Sequence, residues 1–125
     1  MKKEIQNIFL LALGAIAGAI IRWQFKNNIL MNLIGSSILG LVFGLQVRGR
    51  AYILFGIGFC GSLTTFSGLM LDVYMLLNSG LIYKAISSIF LSLIFGVFFA
   101  LIGFLVGRLI FVIKPFQFLQ SRFRW

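Results

Sequence analysis

The chain has 125 residues, 61% of them hydrophobic, with eleven Lys and Arg against two acids and a mean hydropathy of +1.09. That much apolar surface excludes a soluble domain of this size, and a net charge of +9 carried in short loops and tails flanking the apolar runs points to membrane orientation and lipid headgroups, not nucleic acid. A single cysteine, no histidine, and Glu4 and Asp72 as the whole acidic complement exclude an internal disulfide and leave no paired carboxylates for an enzyme.

Four runs carry no charge: residues 5–21, 27–47, 51–71 and 85–107, of 17, 21, 21 and 23 residues. A helix needs roughly 17 to 25 residues to cross a bilayer, so each run is expected to span. The expected fold is an all-α membrane protein with one four-helix transmembrane domain, its spans at about 5–22, 27–47, 51–72 and 85–107, and a basic aromatic tail over 108–125. The first run leads directly through Arg22 into another span, so it is expected to stay attached and not to be cleaved as an export signal.

The first span places Gly14, Gly18 and Arg22 on one face at four-residue spacing, a seam where two helices approach closely with a cation at its end. Taken by itself, Arg22 reads first as an anchor snorkelling to the interface. In the second span Asn28 and Asn32 stack at i, i+4, continued by Gly35 and Ser36. An asparagine in hydrocarbon must find partners, so Asn32 is either cross-helix glue or a pore donor.

The third span holds the densest group of helix-weakening residues, GFCGSLTTFSGL over 58–69. Glycine costs about 1 kcal/mol of helix stability relative to alanine, and Ser and Thr hydroxyls compete for the backbone. The composition predicts a helix broken near mid-membrane, against the alternative of a continuous helix with small packing residues. Freed carbonyls at that depth need a ligand, and a small cation is one candidate. In the fourth span Ser88 and Ser92 form a hydroxyl stripe that lines water or bonds back to its own helix.

With four crossings, eight cations (Lys2, Lys3, Arg48, Arg50, Arg108, Lys114, Arg122, Arg124) lie on one side and three (Arg22, Lys26, Lys84) on the other, placing both termini in the cytoplasm.

GAIAGAIIR over 14–22, MNLIGSSILG over 31–40 and GFCGSLTTFSGL over 58–69 resemble, in order and spacing, the signatures of the Fluc (CrcB) fluoride channels. The resemblance implies an antiparallel, dual-topology dimer in the cell membrane, passing fluoride passively outward through two pathways. It also implies a structural, non-transported Na⁺ held by the main-chain carbonyls of Gly61 and Thr64. Carried onto this chain, it places Asn32, Phe66, Ser88 and Ser92 along the fluoride pathway and Arg22 at its mouth, and the Thr65 hydroxyl is a further donor there. Leu69 stands where the family pattern has a second phenylalanine. Together with the unequal loop charges, it suggests a heterodimer with a related, oppositely oriented subunit as the alternative to a homodimer. The rival functions are a non-conducting or half-functional subunit and a small proton-coupled exporter, the latter needing an embedded carboxylate that only Asp72 approaches.

Overall fold

A computed structural model describes residues 2–113; the expected aromatic tail beyond Ile113, with Lys114, Arg122 and Arg124, lies outside the described residues. The described chain is helical: α1 (Lys2–Phe25), α2 (Asn28–Gly44), α3 (Gly49–Tyr52), a π-helical stretch (Ile53–Cys60), α4 (Gly61–Leu63), α5 (Phe66–Asn78) and α6 (Ile82–Ile113). Three apolar helical stretches are long enough to cross a membrane, Lys2–Phe25, Gly49–Asn78 and Ile82–Ile113, and α2 is a shorter apolar helix. The protein is a multi-pass, all-α membrane protein.

Each turn between helices has a local cause. The Asn27 side chain accepts a hydrogen bond from Leu30 N at 3.0 Å and so caps the start of α2. α2 ends where Gln46 takes a left-handed φ of 54°, with Val47 N bonded to Val42 O at 3.1 Å and Gln46 N to Phe43 O at 3.0 Å. α5 closes the same way on Gly80, φ 75°, where glycine carries no steric cost. α5 runs on past Asp72 to Asn78, so the third apolar stretch is longer than its charge-free core.

Lipid offers little hydrophobic drive for helix association, so small residues that let backbones meet decide the packing. Gly14 and Gly18 of α1 lie so close to the third stretch that a Cβ would collide with Leu54 O and Phe59 O. Gly40 and Gly44 of α2 meet the carbonyls of Ala100 and Phe104, while Gly103 and Gly107 of α6 meet those of Ser37 and Leu41. Ascending register in both pairs shows that α1 runs parallel to the third stretch and α2 parallel to α6. Contacts of Asn28 with Asp72 and of Asn32 with Thr65 show that α2 and α5 are antiparallel. Gln6 accepts a hydrogen bond from Arg50, joining the start of α1 to the segment after α2 at one end of the molecule. The buried apolar side chains are few, with Met31, Cys60 and Leu63 the largest that are fully enclosed.

Candidate functional site at the broken third helix

The third stretch leaves helical geometry at two residues. Thr64 (φ −84°, ψ 149°) and Thr65 (φ −150°, ψ 122°) are both extended, and they separate α4 from α5. Just before them the backbone is π-helical over Ile53–Cys60, a wider winding common as a short bulge at functional sites.

The hydrogen bonds around the break explain it. In a continuous helix Thr65 N–H would donate to Gly61 O and Gly68 N–H to Thr64 O, following the i to i−4 rule. Instead Thr65 N donates to Asn32 Oδ1 at 2.7 Å, and Gly68 N donates to Thr65 Oγ1 at 3.1 Å. Asn32 Nδ2 in turn donates to Thr65 O at 3.0 Å. The asparagine amide thus grips both polar groups of one residue's backbone, as a neighbouring strand would. Thr65 then serves as the N-cap of α5, its hydroxyl within 3.3 Å of Ser67 Oγ. The N–H groups that the i to i−4 rule would assign to the carbonyls of Gly61 and Thr64 thus go to side chains instead.

Upstream, Thr64 Oγ1 and Thr64 N both donate to Cys60 O, at 3.0 and 3.1 Å, and Ser62 Oγ donates to Gly58 O at 2.8 Å. The hydroxyls before the break bond within their own segment, and Asn32 is the group that reaches across from another helix. Gly61 is exposed, with open space beyond its Cα. Phe66, the first residue of α5, is 70% exposed. Among the described residues no three His, Cys, Asp or Glu side chains stand close enough to hold a metal, so the oxygen donors of this stretch are peptide carbonyls and hydroxyls.

Asn32, Thr64, Thr65, Phe66 and Gly61 are thus brought together by one interruption. Arg22 continues the Gly14 and Gly18 face of α1, half-buried. Ser88 and Ser92 sit apart on α6: Ser88 Oγ donates to Lys84 O at 2.7 Å on its own helix, and Ser92 is buried at 7% exposure. Leu69, where the resemblance leads one to expect a second phenylalanine, is 3% exposed and belongs to the interior of its own chain.

A second cross-helix contact was not foreseen from the sequence. Asn28 Nδ2 donates to Asp72 Oδ2 at 2.8 Å, and Asn28 lies against Gly68 so closely that a Cβ there would stand 2.6 Å from its Oδ1. Asn28 and Asn32, one turn apart on α2, therefore stitch to Thr65, Gly68 and Asp72, which share one face of α5 by their i, i+3, i+7 spacing. That spacing was the available signal; what hid it was Asp72's place at the end of the charge-free run.

Comparison with known proteins follows the same residues. Residues 9–104 match the family described as CrcB-like protein, Camphor Resistance (CrcB). A Prochlorococcus marinus (strain MIT 9313) protein named fluoride-specific ion channel FluC 2 is 46% identical over 107 residues, covering 86% of each chain. A Synechococcus (strain CC9902) protein of the same name is 42% identical over 119 residues, covering 91% of this chain and 89% of its own. A protein from another Prochlorococcus marinus strain, named fluoride-specific ion channel FluC 1, is 43% identical over 106 residues, covering 85% of this chain and 86% of its own. The match takes in the Gly14–Gly18–Arg22 seam, Asn32 and the broken stretch together, and the chain belongs to the CrcB family.

Proposed function

We propose that this chain is a subunit of a fluoride-specific channel that lowers cytoplasmic fluoride by passive efflux, assembled as an antiparallel pair of four-span subunits. The observation that carries this function is the diversion of two peptide N–H groups, of Thr65 to Asn32 and of Gly68 to the Thr65 hydroxyl. It frees the carbonyls of Gly61 and Thr64, which fit a small hard cation whose ligands are oxygens. Two inverted copies would present four such carbonyls to a shared, non-transported Na⁺, and when bound that ion supplies a fixed positive charge beside the anion path. The four-span count takes α2 as a crossing: its 17 residues cover about 26 Å, close to the hydrocarbon thickness, and it lies in parallel register with α6.

Fluoride is small and strongly hydrated, so a path must replace water with donors that still release the ion. Asn32 spends one amide N–H on Thr65 O and keeps the second, so it offers a single, rigidly aimed donor. Phe66, open to the surface, offers the positive edge of its ring. Thr65, Ser88 and Ser92 add hydroxyls, and Arg22 raises the local anion concentration at a mouth. The test is fluoride-electrode efflux from vesicles reconstituted with the purified chain, with chloride as control. Fluoride release without chloride release supports the function, and equal permeation of the two, or none from the chain alone or with a related subunit, sinks it.

A second assembly is favoured by one residue. Leu69 fills its own chain's interior and has no aromatic edge, so a pathway built with that position lacks one contact. The relatives include proteins named FluC 1 and FluC 2. Pairing with a related, oppositely inserted subunit would make the two pathways unequal. Vesicles carrying this chain alone, compared with vesicles carrying it and such a relative, distinguish the homodimer from the heterodimer.

A further inference from the structure

We propose that the notch between the end of α2 and the start of α3 binds the phosphodiester headgroup of an anionic phospholipid. This site stands at one end of the molecule, away from the break at Thr64 and Thr65, and does not rest on the fluoride function. Two left-handed residues in close succession, Gln46 (φ 54°) and Gly49 (φ 63°), flank the extended Arg48 (φ −134°, ψ 172°) and fold the backbone around an open cleft of about 560 Å³. Its walls are Phe43, Gln46, Val47, Arg48, Gly49 and Tyr52.

The wall is two-natured. Phe43, 54% exposed, meets Tyr52 edge-on with ring centroids 5.7 Å apart, and with Val47 it makes an apolar side for an acyl chain. Gln46, Arg48 and Tyr52, whose side chains all carry donors, line the same cleft, and a planar guanidinium matches phosphate oxygens two at a time. Depth agrees with that division, because α2 ends at Gly44 and the third stretch begins at Gly49, so the notch lies where hydrocarbon gives way to headgroups.

Charge selects an anionic occupant. The whole chain carries eleven basic residues and two acids: Asp72 is held by Asn28 near the far end of α2, and Glu4 lies in the first turn of α1, outside the residues that line the cleft. Arg50 turns the other way, onto Gln6. Arg48 is exposed at the cleft, at the headgroup level where anionic lipids attract basic side chains.

The experiment follows thermal unfolding of the purified chain in neutral detergent with added phosphatidylglycerol, phosphatidylcholine or inorganic phosphate. Phosphatidylglycerol is expected to raise the midpoint by about 4 °C more than phosphatidylcholine. Arg48→Gln and Tyr52→Phe should each remove most of that difference, and Lys84→Gln, on the opposite side, should keep it. If Arg48→Gln folds poorly, Tyr52→Phe decides, since it leaves the apolar wall intact. Equal stabilisation by the two lipids overturns the proposal, as does full retention in Tyr52→Phe or loss in Lys84→Gln. A matching rise with inorganic phosphate alone overturns the lipid assignment in favour of a free-anion site.

Discussion

The third apolar stretch and α6 are made from similar parts and fold differently. The third stretch has Gly56, Gly58, Gly61 and Gly68 with Ser62, Thr64, Thr65 and Ser67; α6 has Gly96, Gly103 and Gly107 with Ser87, Ser88 and Ser92. Yet α6 winds unbroken for 32 residues, whereas the third stretch opens at Thr64 and Thr65. In α6 the hydroxyls of Ser87 and Ser88 both donate to Lys84 O, and Gly103 and Gly107 face the carbonyls of α2. Small and polar residues there tighten a helix pair without cutting a backbone bond. At Thr65 an amide from another helix competes for the peptide directly, and an intrahelical bond is replaced by two cross-helix ones. Composition lowers the cost of breaking a membrane helix; an outside partner decides where it breaks.

The sharpest way to break this comparison is to remove the outside partner. Asn32→Leu strips both bonds from the Thr65 backbone and leaves its N–H and C=O without side-chain partners at membrane depth. Stability is expected to fall by on the order of 3 kcal/mol, since unmet buried groups cost about 1–3 kcal/mol each. Fluoride efflux should drop to the level of empty vesicles. Unfolding at the wild-type midpoint in detergent would mean that the 58–68 sequence breaks the helix by itself.

The converse test loads α6. Gly103→Val puts a branched side chain against the Ser37 carbonyl, a contact too short for any Cβ, so α2 must move away from α6. Overpacking of this kind costs about 1–3 kcal/mol. Because α2 also carries Asn32, efflux should fall with stability, and a hydrogen-exchange map should show α2 loosening before α1. A variant as stable as wild type would show that the glycine faces are not what holds α2 in register.

Legibility differed between the same two regions. The place of the break could be read from residues 58–69 because glycines, threonines and serines cluster there as nowhere else in the chain, and because that cluster resembles a family signature. Its agent could be read only as a choice, Asn32 as glue or as donor. One amide can do both, with Oδ1 and one N–H spent on Thr65 and one N–H kept, and no periodicity distinguishes those hydrogens. The π-helical winding of Ile53–Cys60 left no mark in the pattern, since apolar residues tolerate either pitch. The Asn28–Asp72 bond was obscured by reading Asp72 as an end when α5 continues to Asn78. For Leu69 the sequence shows the missing aromatic ring, but its burial depends on neighbours brought in by tertiary packing.

A smaller effect separates the two roles of Thr65. Its backbone is held by Asn32, and its hydroxyl caps α5 by accepting from Gly68 N. Thr65→Ala keeps the first and loses the second, at an expected cost of about 1 kcal/mol for a lost N-cap. Thr65→Ser retains the capping oxygen and should recover most of that stability in the same unfolding assay. If alanine and serine are equally destabilising, the methyl group and not the cap is what the site needs.

The smallest expected effect lies in α6. Ser88 spends its proton on Lys84 O, 2.7 Å away, so its hydroxyl is already satisfied within its helix. If it keeps that bond while fluoride passes, Ser88→Ala should leave the unfolding midpoint unchanged. Efflux should then fall by no more than about threefold, the equivalent of about 0.6 kcal/mol for one membrane hydrogen bond. Ser92 has a different position, buried where α6 faces its neighbours, and Ser92→Ala should therefore cost more flux than Ser88→Ala in the same vesicles. A tenfold or greater loss from Ser88→Ala would show its hydroxyl leaving Lys84 O for the ion. In that case α6 also surrenders a backbone-satisfying bond to function, and its difference from the third stretch becomes one of degree: a side-chain proton is lent to the pathway where the other helix gives up hydrogen bonds of its own backbone.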